Sequence, residues 1–333
     1  MSIWPLFSVW SGFDLSAWIF LGAVLDLMIG DPIWRYHPVR LIGSAIAGLE
    51  NVVRRPSWGR AGLRLAGMGL TLAVVVGVLT LVTAVLWAAS NVSIWLFRLL
   101  VVGLAFWGLA IRGLAESALL VYRPLMQNRW DDARRQLAMI VGRDTTHLSQ
   151  SEMVRATVES VAENTCDAVV APLFYLFVGG PAWLWVYKAI NTLDSMIGHT
   201  NGKYRDFGWF SARLDDVANW VPARITGVAI TLAAATDGRL RQAYAVMRQD
   251  GRKHPSPNSG VSEAAMAGAL GVSLGGPNVY EGVVSLRPRI GQPEYPLSPA
   301  AIVRAVSVSL RATLVVVIAF GLLAVIVSGR WLQ

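Results

Sequence analysis

The stretch that decides how this chain folds is residues 155–180, RATVESVAENTCDAVVAPLFYLFVGG. Arg155, Glu159, Glu163 and Asp167 stand four residues apart in it, and its second half is almost wholly apolar. On a helix the four charges form one stripe. Three carboxylates in a row repel one another, and one arginine does not offset them all. Two readings account for them. RATVESVAENT is amphipathic, so the stripe is either the solvated face of a helix or the lining of a site whose bound cation or cationic substrate removes the repulsion. Magnesium suits such a site, because it takes one or two carboxylates and completes its shell with substrate phosphate and water. Asn164 adds a neutral ligand or donor. The apolar half, residues 168–187, is long enough to cross a bilayer. Gly179-Gly180-Pro181 breaks a helix there, so the element is a simple span or a broken or re-entrant one.

The flanking sequence is that of a membrane protein. Of 333 residues, 54% are hydrophobic and 15% charged, against about 25% charged in soluble domains. The 14 tryptophans suit the lipid–water interface. Residues 65–89 and 92–111 are each long and apolar enough to span, with Arg98 inside the second and only Ser90-Asn91 between them, which predicts a tight helical hairpin. Residues 312–329 form an uninterrupted apolar run. Residues 17–30, which contain Asp26, span or lie partly embedded, and 224–236, after Pro222, are short and ambiguous. The expectation is an all-α fold: a polytopic membrane helical bundle of four to six membrane elements, forming one integral membrane domain over residues 1–333. Within it, 112–167 read as a mostly helical polar segment with a turn near VGRDTTHLS, and 249–299 as a Gly/Pro/Ser-rich structured loop around a short helix at 261–270.

Basic residues orient the spans. Arg35, Arg40, Arg54, Arg55, Arg60 and Arg64 precede the hairpin, Arg112, Arg123, Arg129, Arg134 and Arg135 follow it, and its tip has none. The positive-inside rule puts the arginines in the cytoplasm and the tip outside. The amino-terminal residues lack a positively charged region and do not read as a cleaved signal. The formal charge of +8 is spread through loops beside apolar segments, which argues for orientation and for anionic lipid or substrate, and against nucleic acid. Cys166 is the single cysteine, so no internal disulfide forms, and no evident base adjoins it. The four histidines sit in separate segments without the short spacing of a zinc site.

Three further groups carry chemistry. In YKAINTLDSMIGH, Lys188, Asn191, Asp194 and Ser195 share one helical face. Such groups in lipid are costly and face a cavity or a partner, unless Lys188 and Asp194 are simply a structural pair. In SARLDDVANWVPARIT, Asp215 and Asp216 are adjacent, while Arg213, Asp216 and Asn219 share a face; an Asp-rich first helical turn is the plain alternative. In KHPSPNSGVSEAAMAGALGVSLGGPN, Ser259-Gly260 opens an alanine-rich helix whose N–H groups suit an anion, with Lys253 and His254 nearby, although a loop and a capped helix also account for it. No Gly-x-x-x-x-Gly-Lys-Ser/Thr sequence is present, which excludes a P-loop nucleotidase.

GDPIWRYHPVRLIG, IVGRDT, ESVAENTCDAVVAPLFY, YKAINTLDSMIGH, FGWFSARLDDVANWVPARIT and SPNSGVSEAAMAGALGVSLGGPNVYEG follow in that order. Together they resemble the adenosylcobinamide-phosphate synthase family of cobalamin biosynthesis, an integral membrane family. The likeness covers residues 26–282, and six motifs in order are specific where each alone is weak. The resemblance implies an ATP-dependent carbon–nitrogen ligase using magnesium. It would join adenosylcobyric acid to aminopropanol phosphate, or a related amino-alcohol phosphate, to give adenosylcobinamide phosphate. It also implies an integral protein of a bacterial cytoplasmic (inner) membrane, with corrinoid, amino-alcohol phosphate, ATP and lipid as partners and other membrane enzymes of the pathway as further ones.

The resemblance implies a ligase that activates a carboxylate as an acyl phosphate and must neutralise charge and position its substrates. On that footing Glu159, Glu163, Asp167 and Asp194 are the catalytic candidates for metal and amine handling, with Glu163 the candidate acceptor of the amine proton. Glu163 and Asp167 are metal candidates, with Asp215 and Asp216 a second pair. Arg143, Lys188 and Arg213 are candidates for phosphate, and Asn164, Asn191 and Asn258 for orienting substrate. Two rival functions share features of the sequence. An ion-coupled transporter also sets intramembrane charge beside a Gly-Gly-Pro break, but shows more spans and paired repeats. A membrane sensor of the distantly similar β-lactamase regulatory family would not need the full polar set.

Overall fold

The computed structural model describes residues 12–30, 34, 36–55, 57–199, 202–280 and 282–329. Arg35 and the first eleven residues, which entered the orientation and signal arguments, lie outside the described residues. Among the described residues four helices are long and apolar enough to cross a membrane: Arg60–Val92, Ile94–Met126, Gln150–Ile197 and Ala300–Ile326. A fifth span results if the bent pair Trp209–Ala218 and Trp220–Asp237 counts as one, and Ala17–Ile29 is a shorter apolar helix. The polytopic all-α expectation therefore holds. The chain divides into two compact units, each discontinuous in sequence.

One unit comprises Met1–Leu109, Ala171–Asn219 and Val317–Gln333. It holds α1 (Gly12–Ile29), α2 (Pro38–Val53), α3 (Arg60–Val92), α4 (Ile94–Gly108), α8 (Ala171–Ile197) and α9 (Trp209–Ala218). Helix α3 exposes Leu65, Val76, Leu81 and Trp87, so it is apolar on its outer as well as its inner side, as a lipid-facing helix is. The expected turn at Ser90-Asn91 lies a little later. Both residues remain helical, their side chains bonded back to the Trp87 carbonyl, and Ser93 instead accepts the Trp95 N–H to cap α4. Helix α8 is interrupted at Gly179 (φ −145°, ψ 19°) and Gly180 (φ 70°, ψ −165°), and Pro181 opens its second limb. The positive φ at Gly180 favours glycine, and proline tolerates a first helical turn because its missing N–H has no helical partner there. Tyr175 and Tyr187 stack across this break, their rings 5.1 Å apart.

The other unit comprises Ala110–Val170 and Trp220–Val316. Its helices are α5 (Ile111–Met126), α6 (Trp130–Ala138), α7 (Gln150–Asn164), α10 (Trp220–Ala233), α11 (Leu240–Asp250), α12 (Ser259–Leu270) and most of α13 (Ala300–Gly329). Residues 112–167 hold most of α5 and all of α6 and α7. Helix α7 starts at a capping box: Ser149 Oγ accepts the Glu152 N–H and Glu152 accepts the Ser149 N–H. It ends in a π-helical turn, Thr165–Val170, pinned by a Thr165–Ser309 hydroxyl bond of 2.7 Å. Helix α12 is buried from Ser262 to Leu270, its alanines allowing close packing on α10 and α11.

The expectation for 249–299 needs one correction. The helix is there, beginning at Ser259, but an antiparallel hairpin follows it: β1 (Leu274–Tyr280) with β2 (Val283–Ile290), Tyr280 opposite Val283 and Gly276 opposite Arg287. The β-branched and aromatic residues of NVYEGVVSL suit paired strands, and Gly282 supplies the positive φ (77°) of the turn.

Candidate functional site

Helix α7 turns its charged stripe inward. Arg155 and Glu159 are only 3% and 2% exposed, and Glu163 is half-buried, so the stripe is not a solvated face. Arg143, from the loop before α7, reaches Glu159 with Nη2 (2.5 Å) and Asn278 of β1 with Nη1 (2.7 Å). The other Glu159 oxygen accepts the Gly275 N–H at 2.8 Å. Gly275 is at φ 75°, and a Cβ there would overlap the Pro288 carbonyl, so this close strand approach requires glycine. Arg155 donates to the Gly275 carbonyl, to Pro277 O (2.7 Å) and to Asn278 Oδ1 (3.2 Å). Both Glu159 oxygens are therefore used in fastening the hairpin to α7. Glu163 differs: its Oε1 accepts from Ser259 Oγ at 2.9 Å, and among the described residues it accepts nothing else.

A third carboxylate converges on this region. Glu263 of α12 is 1% exposed and lies 3.6 Å from His254 Nε2. Burial first, then the negative charges of Glu159 and Glu163, push its carboxyl well above the usual range. Burial, then Arg287, holds the His254 imidazole down to about 4. His254 Nδ1 lies 3.0 Å from the Ser256 N–H, and Nε2 lies 3.0 Å from Arg287 Nη1 and 3.6 Å from Glu263. Linkage fixes the sign of a testable effect. Between pH 6.5 and about 4 the unfolded chain binds a proton that the folded ring refuses, so stability falls as pH drops through that window. The total loss is on the order of 3 kcal/mol. Glu263 acts oppositely: its contribution is complete below the ordinary carboxylate range and is lost as pH rises through its folded value. His254→Gln is therefore expected to flatten the acid limb of a stability–pH curve measured by thermal unfolding in detergent. Parallel acid limbs for the two proteins would refute this.

The remaining candidates of this unit take quieter places. Asn164 bonds back to Ser160 (2.9 Å), and Asp167 is half-buried in the π turn, a feature frequent at functional positions. Cys166 is buried in the same turn. Asn258 is buried and accepts from Arg224 Nη1 at 2.9 Å just before α12 begins.

The other unit gathers a separate polar group. Asp215 accepts from Asn191 (3.4 Å) and Asn219 (3.0 Å), whose Oδ1 in turn accepts the Tyr187 hydroxyl at 2.9 Å. Asp194 and Asp216 act electrostatically on Asp215, and Asp194 and Lys188 are half-buried on the second limb of α8. Arg213 is exposed and pairs with Asp216 at 3.2 Å, an arrangement that contributes little to stability. The plain alternative of an Asp-rich first turn does not apply: Asp215 and Asp216 stand in the second half of α9, where the helix dipole disfavours negative charge. Among the described residues no three His, Cys, Asp or Glu side chains gather as a ready metal cage. Magnesium needs fewer protein ligands than that, and the half-buried Glu163, with one accepted bond, fits such a role.

Glu263, Arg287, Asn278 and the closeness of His254 were not legible as parts of the group. One signal existed: Glu263 is the single charge in the apolar run VSEAAMAGAL.

These clusters lie within residues 19–309, the region matched by the family model described as CobD/Cbib protein. The chain belongs to the CobD/Cbib family. Relatives in that family include the cobalamin biosynthesis protein CobD of Geobacter metallireducens, 45% identical over 293 residues, which cover 86% of this chain and 90% of the relative. The proteins of the same name in Clostridium tetani and Photorhabdus laumondii are each 41% identical, over 82% and 95% of this chain and 86% and 99% of their own. No solved structure matches the chain. Membership of CobD/Cbib places the chain in a cobalamin-biosynthesis family, and its apolar helices make it a membrane protein.

Proposed function

We propose that this chain is the amide ligase that joins adenosylcobyric acid to aminopropanol phosphate, or a closely related amino-alcohol phosphate, with hydrolysis of ATP to ADP and phosphate. The supporting observation is the inward-facing α7 stripe. It places a half-buried carboxylate of low hydrogen-bond occupancy, Glu163, one turn from buried Glu159 and within electrostatic reach of buried Glu263 in a CobD/Cbib chain. We assign the protein to a bacterial cytoplasmic membrane, where other membrane enzymes of the pathway are further partners.

The corrinoid carboxylate attacks the γ-phosphorus of ATP, and ADP leaves. The amine nitrogen then attacks the acyl carbon, the bond to phosphate breaks, and the nitrogen gives up a proton. Glu163 is the acceptor of that proton. Glu159 and Arg143 keep α7 and the β1–β2 hairpin in register around it and are positioning residues. Asn164 and Asn258 orient the corrin amides. Glu163 and Asp167 would hold magnesium here, and in the other unit Asp194, Asp215 and Asp216 are the negative groups suited to it. When bound, the ion supplies neutralisation of phosphate charge. Lys188 and Arg213 offer positive charge to phosphate, and Asn191 a neutral donor. The test is direct: the purified chain in detergent, given adenosylcobyric acid, several amino-alcohol phosphates, ATP and Mg²⁺, should form amide and ADP in equal amounts. Substrate movement into vesicles without ATP turnover would point to a carrier instead.

A further inference from the structure

A cavity of about 560 Å³ opens in the unit that holds α7, between the end of α11 and the segment that follows β2. Its lining combines Lys253 and Arg289 with Tyr295, Pro296 and Leu297. We propose that this cavity binds a nucleoside phosphate, with the phosphates held by Lys253 and Arg289 and the base packed on Tyr295 and Leu297. The proposal rests on the ligase reading for the nucleotide's identity as ATP.

The cavity is built rather than incidental. Asp250, 5% exposed, accepts the Gly291 N–H at 2.8 Å and pairs with Lys253 at 2.6 Å, which ties the floor to both the preceding helix and the following loop. Tyr295 is clamped between the guanidinium groups of Arg239 and Arg304, each 5.7 Å from its ring centre, and its N–H is held by the Gly271 carbonyl. Among the described residues Arg289 makes a single hydrogen bond, from Nη1 to Gly275 O (3.2 Å). A guanidinium has five donors, so most of its capacity is left for a ligand. Gly275 O also receives Arg155, and Gly275 N–H is the donor to Glu159. Arg289 is thus joined through one residue, Gly275, to Glu159 of the carboxylate group on α7. Size selects among phosphorylated ligands: the volume suits a whole organic ligand, in the usual range of about 300–1,000 Å³, and greatly exceeds what a three-carbon amino-alcohol phosphate fills.

The test uses the full chain in phosphatidylcholine nanodiscs and the non-hydrolysable β,γ-imido analogue of ATP, with binding read by equilibrium dialysis. Lys253→Met and Arg289→Met are each expected to weaken binding roughly tenfold or more, the loss of one charge-assisted contact. Gln292→Trp, which fills the cavity and removes no charge, should abolish binding, and the amino-alcohol phosphate should not displace the analogue. Absence of binding by the unaltered chain overturns the proposal. So does wild-type affinity in Gln292→Trp or in both charge variants, or displacement by the amino-alcohol phosphate. Amide formation with an unchanged KM for ATP in all three variants removes the cavity assignment and leaves the ligase. Nucleotide binding that the variants lose, without amide product from the unaltered chain, does the reverse.

Discussion

Arg143→Met should lose about 3–5 kcal/mol of stability, the usual consequence of removing one partner of a buried ion pair. Arg143 and Glu159 meet at 2.5 Å with side chains 7% and 2% exposed. Without the guanidinium, Glu159 keeps, among the described residues, only the Gly275 N–H as a hydrogen-bond donor. Asn278 is less affected, because Arg155 also donates to its Oδ1. The cost is therefore mainly that of a stranded carboxylate, and removing the charge at both ends should recover much of it. The double variant Arg143→Met/Glu159→Gln is expected to be clearly more stable than the single one, with the Gln still accepting from Gly275. Denaturant unfolding of the full chain in detergent measures both. A single variant within about 1 kcal/mol of wild type, or a double variant no better than the single, would show that the pair does not fasten the hairpin to α7.

How much of this was legible beforehand follows from where each signal resides. The α7 stripe is local: a spacing of four and an adjoining apolar run suffice, and both the helix and its charged face appear as read. The Gly179-Gly180-Pro181 break is local too, because glycine and proline alter backbone geometry themselves. The β1–β2 hairpin hid because most of β2 is exposed on both faces, so hydrophobic alternation is missing, while Gly and Pro in β1 imitate a loop. Glu263 hid for a different reason. Its environment is assembled from α7, the loop bearing His254 and the strand bearing Arg287, which only the fold brings together. The Asp215–Asp216 pair shows how a one-turn uncertainty matters: the same residues are ordinary at a helix start and costly near its end.

Glu163→Gln should lower the rate of amide formation by at least about 10²-fold, the lower range for losing a general base, while stability stays within about 0.5 kcal/mol of wild type. The contrast with Glu159 supports that expectation. Glu159 is fully enclosed and bonded at both oxygens, so changing it perturbs structure, whereas Glu163 is half-buried and among the described residues accepts only the Ser259 hydroxyl at 2.9 Å. Glutamine keeps the size and can still accept that bond through its amide oxygen, so the substitution removes charge and basicity and little else. Because Glu163 is also offered to magnesium, the effect is to be read at saturating ATP and Mg²⁺, where it should fall on kcat, since the proton is accepted after the nucleotide has reacted. Single-turnover measurement would separate the steps: ADP should still form while amide lags. An inserted, folded Glu163→Gln protein that retains more than about a tenth of the wild-type rate would remove Glu163 from the chemistry. The α7 stripe would then have to be understood as an internal fastening for the hairpin and α12.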